Sequence, residues 1–515
     1  MAVSSLRMGE LVATLALAQD NAFGQPLESQ FRSCILASWL CEAAGFDADL
    51  RATAFWVALL RYVGCTGHAH EVSALFGDEI ALRARTLVHD VANPHEVVGD
   101  LLDFAAADQQ RLPMVQAVLA GGRAAIAPNF AAGCEVGDAL VARLRLSSEV
   151  RAALRCTFER WNGQGFPEGV RGDAIPLAMR IVHLTHDMEA IARIRTPADA
   201  LHAARDRRDR TYDPAVADLF TEHGARWLAD LSSVDPWAVV IDLEPRPHRL
   251  LAGDELDDAL TVVADFVDLK SPFMAGHSRR CSSLAEHAGT MLGLDGDRVA
   301  ALRRAGFVHD LGTTAVPNSI WDKPGPLTTA ERDRMRLHPM LTEQMLRRCP
   351  GFAEFGALAA AHHEKCDGSG YHRGTRFDPL DPTVGVLVAA DIYTGLTADR
   401  ADRAGVDAND AAVELRRLAA SGVLDAPATD AVLDAAGHRR PRRAGAKPAR
   451  PAGLTAREID VLRLAAEGLS VKAIADRLYI STKTADHHIQ HIYTKIGVSS
   501  RAAAALWAMH HGIVT

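Results

Sequence analysis

Cysteine is present but unpatterned: eight residues in a chain of 515, with no CxxC pair and no regular spacing. That excludes a disulfide framework and a zinc knuckle, and predicts reduced, mostly buried thiols. Long apolar runs are missing too. The longest, such as residues 53–60 and 384–390, fall well short of the roughly 20 residues that cross a bilayer and suit buried helix segments. The run from Leu11 to Ala18 follows Glu10, is short and lacks a cleavage site, so no membrane association is expected and a cytoplasmic location is. An excess of positive charge is absent as well. A net charge of -9 excludes a basic surface over the whole molecule and leaves any nucleic-acid contact to a local patch. With 48% hydrophobic and 23% charged residues, the chain has the balance of a folded soluble protein, and length for about three or four domains.

What the middle of the chain does have is histidine beside aspartate. His277, His309-Asp310, His338, His362-His363 and Asp391 run through helical sequence. Imidazole with carboxylate suits a borderline, redox-capable divalent ion better than thiolate zinc sites or all-oxygen calcium cages. Seven such ligands are too many for one ion, and two ions sharing Asp310 is the economical arrangement. Ser271 is read as the cap of a helix with Pro272 in its first turn, on which His277, Cys281, Leu284, Ala288 and Met291 form one stripe. On the next helix Val299, Leu302, Gly306 and His309 do the same, with Gly312 as its end. Neighbouring residues on a helix diverge by about 100°, so His309 and Asp310, or His362 and His363, can serve different ions.

The segments HSRR (277–280), HDLG (309–312), HP (338–339), HHEKCDGSGYHRG (362–374) and ADIYTGLTADR (390–400), in this order and spacing, resemble the HD-GYP phosphohydrolases over about residues 255–436. That branch of the all-helical HD superfamily hydrolyses cyclic dinucleotides, chiefly cyclic di-GMP, at iron or manganese centres. The resemblance implies two divalent transition-metal ions. His277, His309 and Asp391 would hold one with Asp310, and His338, His362 and His363 the other. Asp310 would bridge them and so be the catalytic carboxylate, and a metal-activated hydroxide would attack the phosphodiester. Phe273 stands where three-metal members carry glutamate, which favours two ions. Thr313 replaces a lysine thought to contact phosphate, leaving that task to a cation such as Lys365. His372 replaces the signature proline in the loop 367–374, which includes Asp367. Arg400 matches a substrate-binding arginine, and Arg403 follows it in a more divergent stretch.

The first half reads as a degenerate copy of this region. Residues 29–64 lie ungapped on 277–312, and ERWNGQGFPEG (159–169) copies EKCDGSGYHRG (364–374). The ligands are gone. Ser29 replaces His277, Arg61-Tyr62 replaces His309-Asp310, Thr157-Phe158 replaces His362-His363, and His186 falls where Asp391 would. Arginine does not coordinate cations, so no metal is expected in residues 1–250. No counterpart of His338 can be placed.

Residues 438–453 read as a linker, with six basic residues, three prolines and no acid. From Leu454 a capping box at Thr455–Glu458, a second cap at Ser470, a third at Ser481 and a fourth helix from Arg501 outline a helix-turn-helix. LTAREIDVLRLAAEGLSVKAIADRLYISTKTADHHIQHIYTKIGVSSR is similar to the LuxR-type DNA-binding domain. The resemblance points Lys483, Thr484, His488 and Lys495 toward double-stranded DNA, with Lys472 and Arg501 as phosphate contacts. Asp486 stands where the family usually has lysine.

The expectation is an all-α protein of tandem HD-type helical domains and a C-terminal four-helix helix-turn-helix. Its parts are a degenerate copy (1–250), a metal-dependent phosphohydrolase domain (251–437), the linker and the DNA-binding domain (454–515). It would be a transcriptional regulator, working as a homodimer, that hydrolyses a cyclic dinucleotide. The alternative is a catalytically weak sensor of cyclic dinucleotides or nucleotides that controls DNA binding, and a third reading is hydrolysis of another phosphorylated nucleotide.

Overall fold

In a computed structural model the described residues are 5–90, 98–99, 101–102, 104, 112–376, 381–438 and 451–514. They are helical almost throughout. The exception is one antiparallel pair, Ser5–Arg7 with Leu250–Ala252, which ties the two ends of the first half together. The chain divides into two units, Met1–Gly253 and Asp254–Thr515. Most of the linker predicted at 438–453 lies outside the described residues. All eight cysteines are free, and six are buried. No described helix is long and apolar enough to cross a membrane.

Caps set where the helices begin. Asp295 accepts the Arg298 amide at the start of Gly296–Val308, and Asp381 accepts the Thr383 amide ahead of Pro382–Thr397. These carboxylates satisfy amides that have no partner inside a first turn, and proline fits at Pro382 because that position needs no donor. The helix expected to open at Ser271 does not. Ser271 caps only a short 3-10 turn, Pro272–Met274, and the helix starts at His277 after Gly276 in the left-handed region (φ 72°). The buried face is therefore His277, Ser278, Cys281, Ser282, Ala285, Ala288 and Gly289, while Leu284 is half-buried and Met291 is 56% exposed. Met291 is the helix's last residue, past the reach of the core.

Gly312 does not end its helix either, which stops at Val308. It lies where the helix His338–Leu346 crosses, and a Cβ there would overlap the His338 carbonyl. Gly64 has the same role in the first unit: its Cβ would overlap the Gly133 carbonyl and meet the Gly137 amide. Gly64 corresponds to Gly312, so Gly133 corresponds to His338 and Gly137 to Thr342. The counterpart that sequence could not place is a glycine, and this ligand too has been lost. The two copies differ in length between these points, with residues 65–132 in one against 313–337 in the other.

Other anchors repeat. Asp20 accepts the amides of Ser29 and Gln30, and Asp268 accepts the amide and hydroxyl of Ser278. Asp47 and Asp295 cap equivalent helices. Glu159 holds the loop amides of Glu168 and Gly169, as Glu364 holds those of Arg373 and Thr375. The same carboxylates anchor the same segments in both copies at these positions. Replacing Gly312 by alanine is expected to destabilise the second unit by about 1–3 kcal/mol through forced displacement of the His338 turn. Urea unfolding of the full chain, followed by tryptophan fluorescence, checks the value.

Candidate metal centre and helix-turn-helix

Five chain segments converge in the second unit. His277 comes from a helix N-terminus, His309 and Asp310 follow the helix Gly296–Val308, and His338 begins its own helix. His362 and His363 follow Ala353–Ala360, and Asp391 sits within Pro382–Thr397 behind a run of buried aliphatic residues. His277, His309, His338 and His362 are at most 1% exposed, Asp310 4% and Asp391 7%. His363 is the open one, with 25% of its side chain exposed.

Among the described residues the ligand atoms form two triplets that share no residue, His277–His309–Asp391 and His338–His362–His363, and a third, His309–Asp310–His362, that joins them, each within 4.8 Å. Asp310 stands between them. Its Oδ2 is 3.6 Å from His277 Nε2 and 3.4 Å from His309 Nε2, while its Oδ1 is 3.4 Å from His338 Nε2 and 3.5 Å from His362 Nε2. One carboxylate thus faces both sets with a different oxygen.

Hydrogen bonds fix which ring nitrogens are free. His309, His338 and His362 donate Nδ1–H to the carbonyls of Gly306, Met335 and Ala359 at 2.9, 2.7 and 2.7 Å. A neutral imidazole that donates at Nδ1 carries its lone pair at Nε2. Yet His338 Nε2 and His362 Nε2 are 3.0 Å apart. Lone pairs brought that close in a buried site repel unless a cation lies between them, and backbone carbonyls orienting the outer nitrogen are the usual support of a metal-binding histidine. The residues therefore fit divalent metal. Burial works against the Asp310 and Asp391 charges, but the surrounding histidines hold both carboxyls well below their ordinary range.

The other expected site residues are placed less uniformly. Arg400 is close: its charge is felt by Asp391 and Asp310, and its guanidinium rests on the Met274 sulfur. Arg403 spends its guanidinium on the carbonyls of Gly395 and Leu396. Asp367 is exposed and its carboxylate receives the Ser369 amide, closing its own loop. Lys365 is half-buried next to it. His372 points to Glu343, 3.1 Å away, and the Thr313 hydroxyl donates back to the Asp310 carbonyl. Phe273 lies in the short turn before His277. Tyr371 was not foreseen, because only its place in the glycine loop marks it. Its ring lies 4.7 Å from that of His363.

In the first unit the equivalent positions carry a buried charge network in place of ligands. Arg61 is 4% exposed, donates to the Val182 carbonyl and lies 3.8 Å from Asp187, which also accepts from Tyr212 and contacts His186. Burial and the Arg61 charge push His186 down to about 4, so it is neutral. Burial would raise Asp187, but His186 and Arg61 hold it well below the carboxylate range. Among the described residues no metal-capable triplet occurs in this unit.

At the C-terminus all the expected caps form. Thr455 and Glu458 make a capping box, and Ser470 and Ser481 cap Val471–Arg477 and Thr482–Ile496. Lys472, Lys483 and Thr484 are exposed and His488 is half-buried. Lys495 pairs with buried Glu458 at 2.8 Å, and Arg501 donates to the carbonyls of Ala465 and Leu469. Those two side chains fasten the domain together in this structure.

Residues 134–216 and 261–427 match the HD domain family, and residues 452–508 match the family described as bacterial regulatory proteins, luxR family. The chain is 30% identical over 417 residues to 3'3'-cGAMP-specific phosphodiesterase 3 of Vibrio cholerae, covering 79% of this chain and 90% of that protein. It is 31% identical over 160 residues to the cyclic di-GMP phosphodiesterase response regulator RpfG of Xanthomonas campestris, covering 30% of this chain and 42% of that one. The crystal structure of a cyclic GMP-AMP specific phosphodiesterase of V. cholerae superposes with a TM-score of 0.59 at 25% identity, covering 84% of this chain and 98% of that chain. The earlier match, at 134–216, falls on the copy that has no ligands. Replacing Arg61 by methionine is expected to cost about 3–5 kcal/mol because it strands the buried Asp187 charge. The double variant Arg61→Met/Asp187→Leu should recover most of that loss, as read by urea unfolding.

Proposed function

Because this chain belongs to the HD-GYP branch of the HD-domain phosphohydrolases and ends in a LuxR-family DNA-binding domain, we propose that it hydrolyses a cyclic dinucleotide and that the state of this site governs its action at DNA. It is a metal-dependent hydrolase joined to a transcriptional regulator's reading head. The substrate is a 3',5'-linked cyclic dinucleotide, either cyclic di-GMP or cyclic GMP-AMP, the two classes named for its relatives. The observation that carries the reading is Asp310, which turns one oxygen to each of the two triplets. The set suits two ions of iron or manganese, which the two triplets would hold together with Asp310.

When bound, such ions lower the pKa of a water and neutralise phosphoryl oxygens. The protein's own part is orientation and exclusion. Backbone carbonyls of Gly306, Met335 and Ala359 hold three imidazoles in one tautomer. Their histidine neighbours keep Asp310 and Asp391 ionised even though both are buried away from bulk water. His363, the exposed ligand, marks the side on which substrate enters. Arg400 adds positive charge on the Asp391 side. Asp310 is then the residue whose loss removes turnover.

The second reading, a sensor that binds without turnover, is favoured by one observation. Thr313 is 4% exposed and bonded to its own turn, so no cation reaches the substrate from that position. On DNA, the exposed Lys472, Lys483 and Thr484 supply phosphate and base contacts, His488 contributes from its half-buried position, and Lys495 and Arg501 brace the domain through Glu458 and the Ala465 carbonyl. A homodimer in the cytoplasm fits this reading, since helix-turn-helix domains read paired half-sites.

Full-length protein loaded anaerobically with ferrous or manganous ion is expected to convert cyclic di-GMP or 3'3'-cGAMP to a linear dinucleotide or mononucleotides. Asp310→Ala should lower that rate more than about a hundredfold. Tight binding with no product in the wild type decides for the sensor. On the upstream region of its own gene, binding should weaken steeply with salt, and Lys483→Ala should reduce the log–log salt slope by about one. Salt-insensitive binding contradicts the DNA reading.

A further inference from the structure

A cyclic dinucleotide carries two phosphodiesters, and only one can lie at the metal centre at a time. The other brings a negative charge that a productive site must meet with a cation. The position after the His309–Gly312 segment offers none, because Thr313 is buried and bonded to the Asp310 carbonyl. Arg403 is committed to the Gly395 and Leu396 carbonyls. Arg400 faces Asp391 and Asp310, beside the inner triplet. Lys365 follows His363 by two residues but is half-buried, so no exposed cation has yet been named for the open side, where His363 reaches the surface.

Arg336 is there. Its guanidinium lies 5.3 Å from the centre of the Tyr371 ring. That ring in turn lies 4.7 Å from His363, tilted by 31°, and 6.4 Å from His338. The helix Thr329–Met335 ends at Arg336, two residues before His338, so the turn that aims the ligand also aims the arginine. Arg336 is exposed, and among the described residues it forms no ion pair with a carboxylate. An arginine held over an aromatic face loses little freedom and keeps its outward N–H groups for phosphate. Leu337 and Met340, on the same segment, remain 44% and 39% exposed.

Resting on the hydrolase reading above, we infer that Arg336, seated on Tyr371, is a substrate-binding residue that engages the second phosphodiester of the cyclic dinucleotide. It supplies at the open rim the positive charge that Thr313 does not. The contact is made by substrates with two phosphates and not by a simple diester, so it sets affinity and selectivity more than the rate of bond breaking.

The test uses metal-loaded full-length protein and a bis-phosphorothioate analogue of the cyclic dinucleotide, which resists hydrolysis. Arg336→Ala is expected to weaken its binding by about tenfold or more, and Arg336→Lys by less than about threefold, since one charged hydrogen bond survives. In turnover, Arg336→Ala should raise KM far more than it lowers kcat. Equal binding of the analogue by wild type and Arg336→Ala overturns the inference. So does a parallel fall in hydrolysis of bis(4-nitrophenyl) phosphate, which has no second phosphate. A wild type that binds the analogue but forms no product from the parent nucleotide sinks the hydrolase reading while the binding comparison still decides on Arg336. A wild type that does not bind the analogue at all overturns both.

Discussion

Two ring nitrogens carrying lone pairs, those of His338 and His362, have been brought within 3.0 Å of each other inside a buried helical core, beside the Asp310 carboxylate. Left alone, that arrangement is repulsive. It is tolerated because a cation reverses its sign, and the rest of the second unit can be understood as what keeps the donors in place. The caps at Asp295 and Asp381, the crossing at Gly312 and the carbonyls that accept from Nδ1 all fix backbone segments whose side chains would otherwise move apart.

The first unit solves the same problem with different chemistry. It keeps the Asp20 anchor, the Asp47 cap and the Gly64 crossing, so the framework is that of its neighbour. In the middle, however, the positive charge belongs to the protein. Arg61 faces Asp187 where the other copy has imidazoles facing carboxylates. A guanidinium cannot be chelated away or oxidised, so this copy holds its shape without regard to metal supply. Loss of the ligand set and retention of the fold are thus two consequences of one substitution pattern.

Much of this was legible in the sequence, for physical reasons. Motif residues that must meet at one point keep their spacing, and the seven residues expected as ligands do lie together in the fold. Capping boxes also announce themselves, which is why Thr455, Ser470 and Ser481 could be placed. What sequence did not carry was direction and long-range approach. Gly312 reads as a helix stop, yet its purpose is to admit a backbone that arrives from residue 338. The equivalent of His338 was hidden because the intervening segments differ in length, and only the Gly64–Gly133 contact reveals it. Long basic side chains were the least legible. Arg403, Lys495 and Arg501 have the expected identity, but their ends are occupied by carbonyls or by Glu458.

The account depends on Asp310 serving two cations at once, and metal content measured site by site tests this most directly. Anomalous diffraction from anaerobically reconstituted crystals, recorded at the iron or manganese edge, should show two peaks flanking Asp310, one against each triplet, with about two equivalents per chain in elemental analysis. A His338→Ala/His362→Ala variant should keep only the peak beside His277 and Asp391. A single ion, or no stoichiometric transition metal in the wild type, would contradict the account.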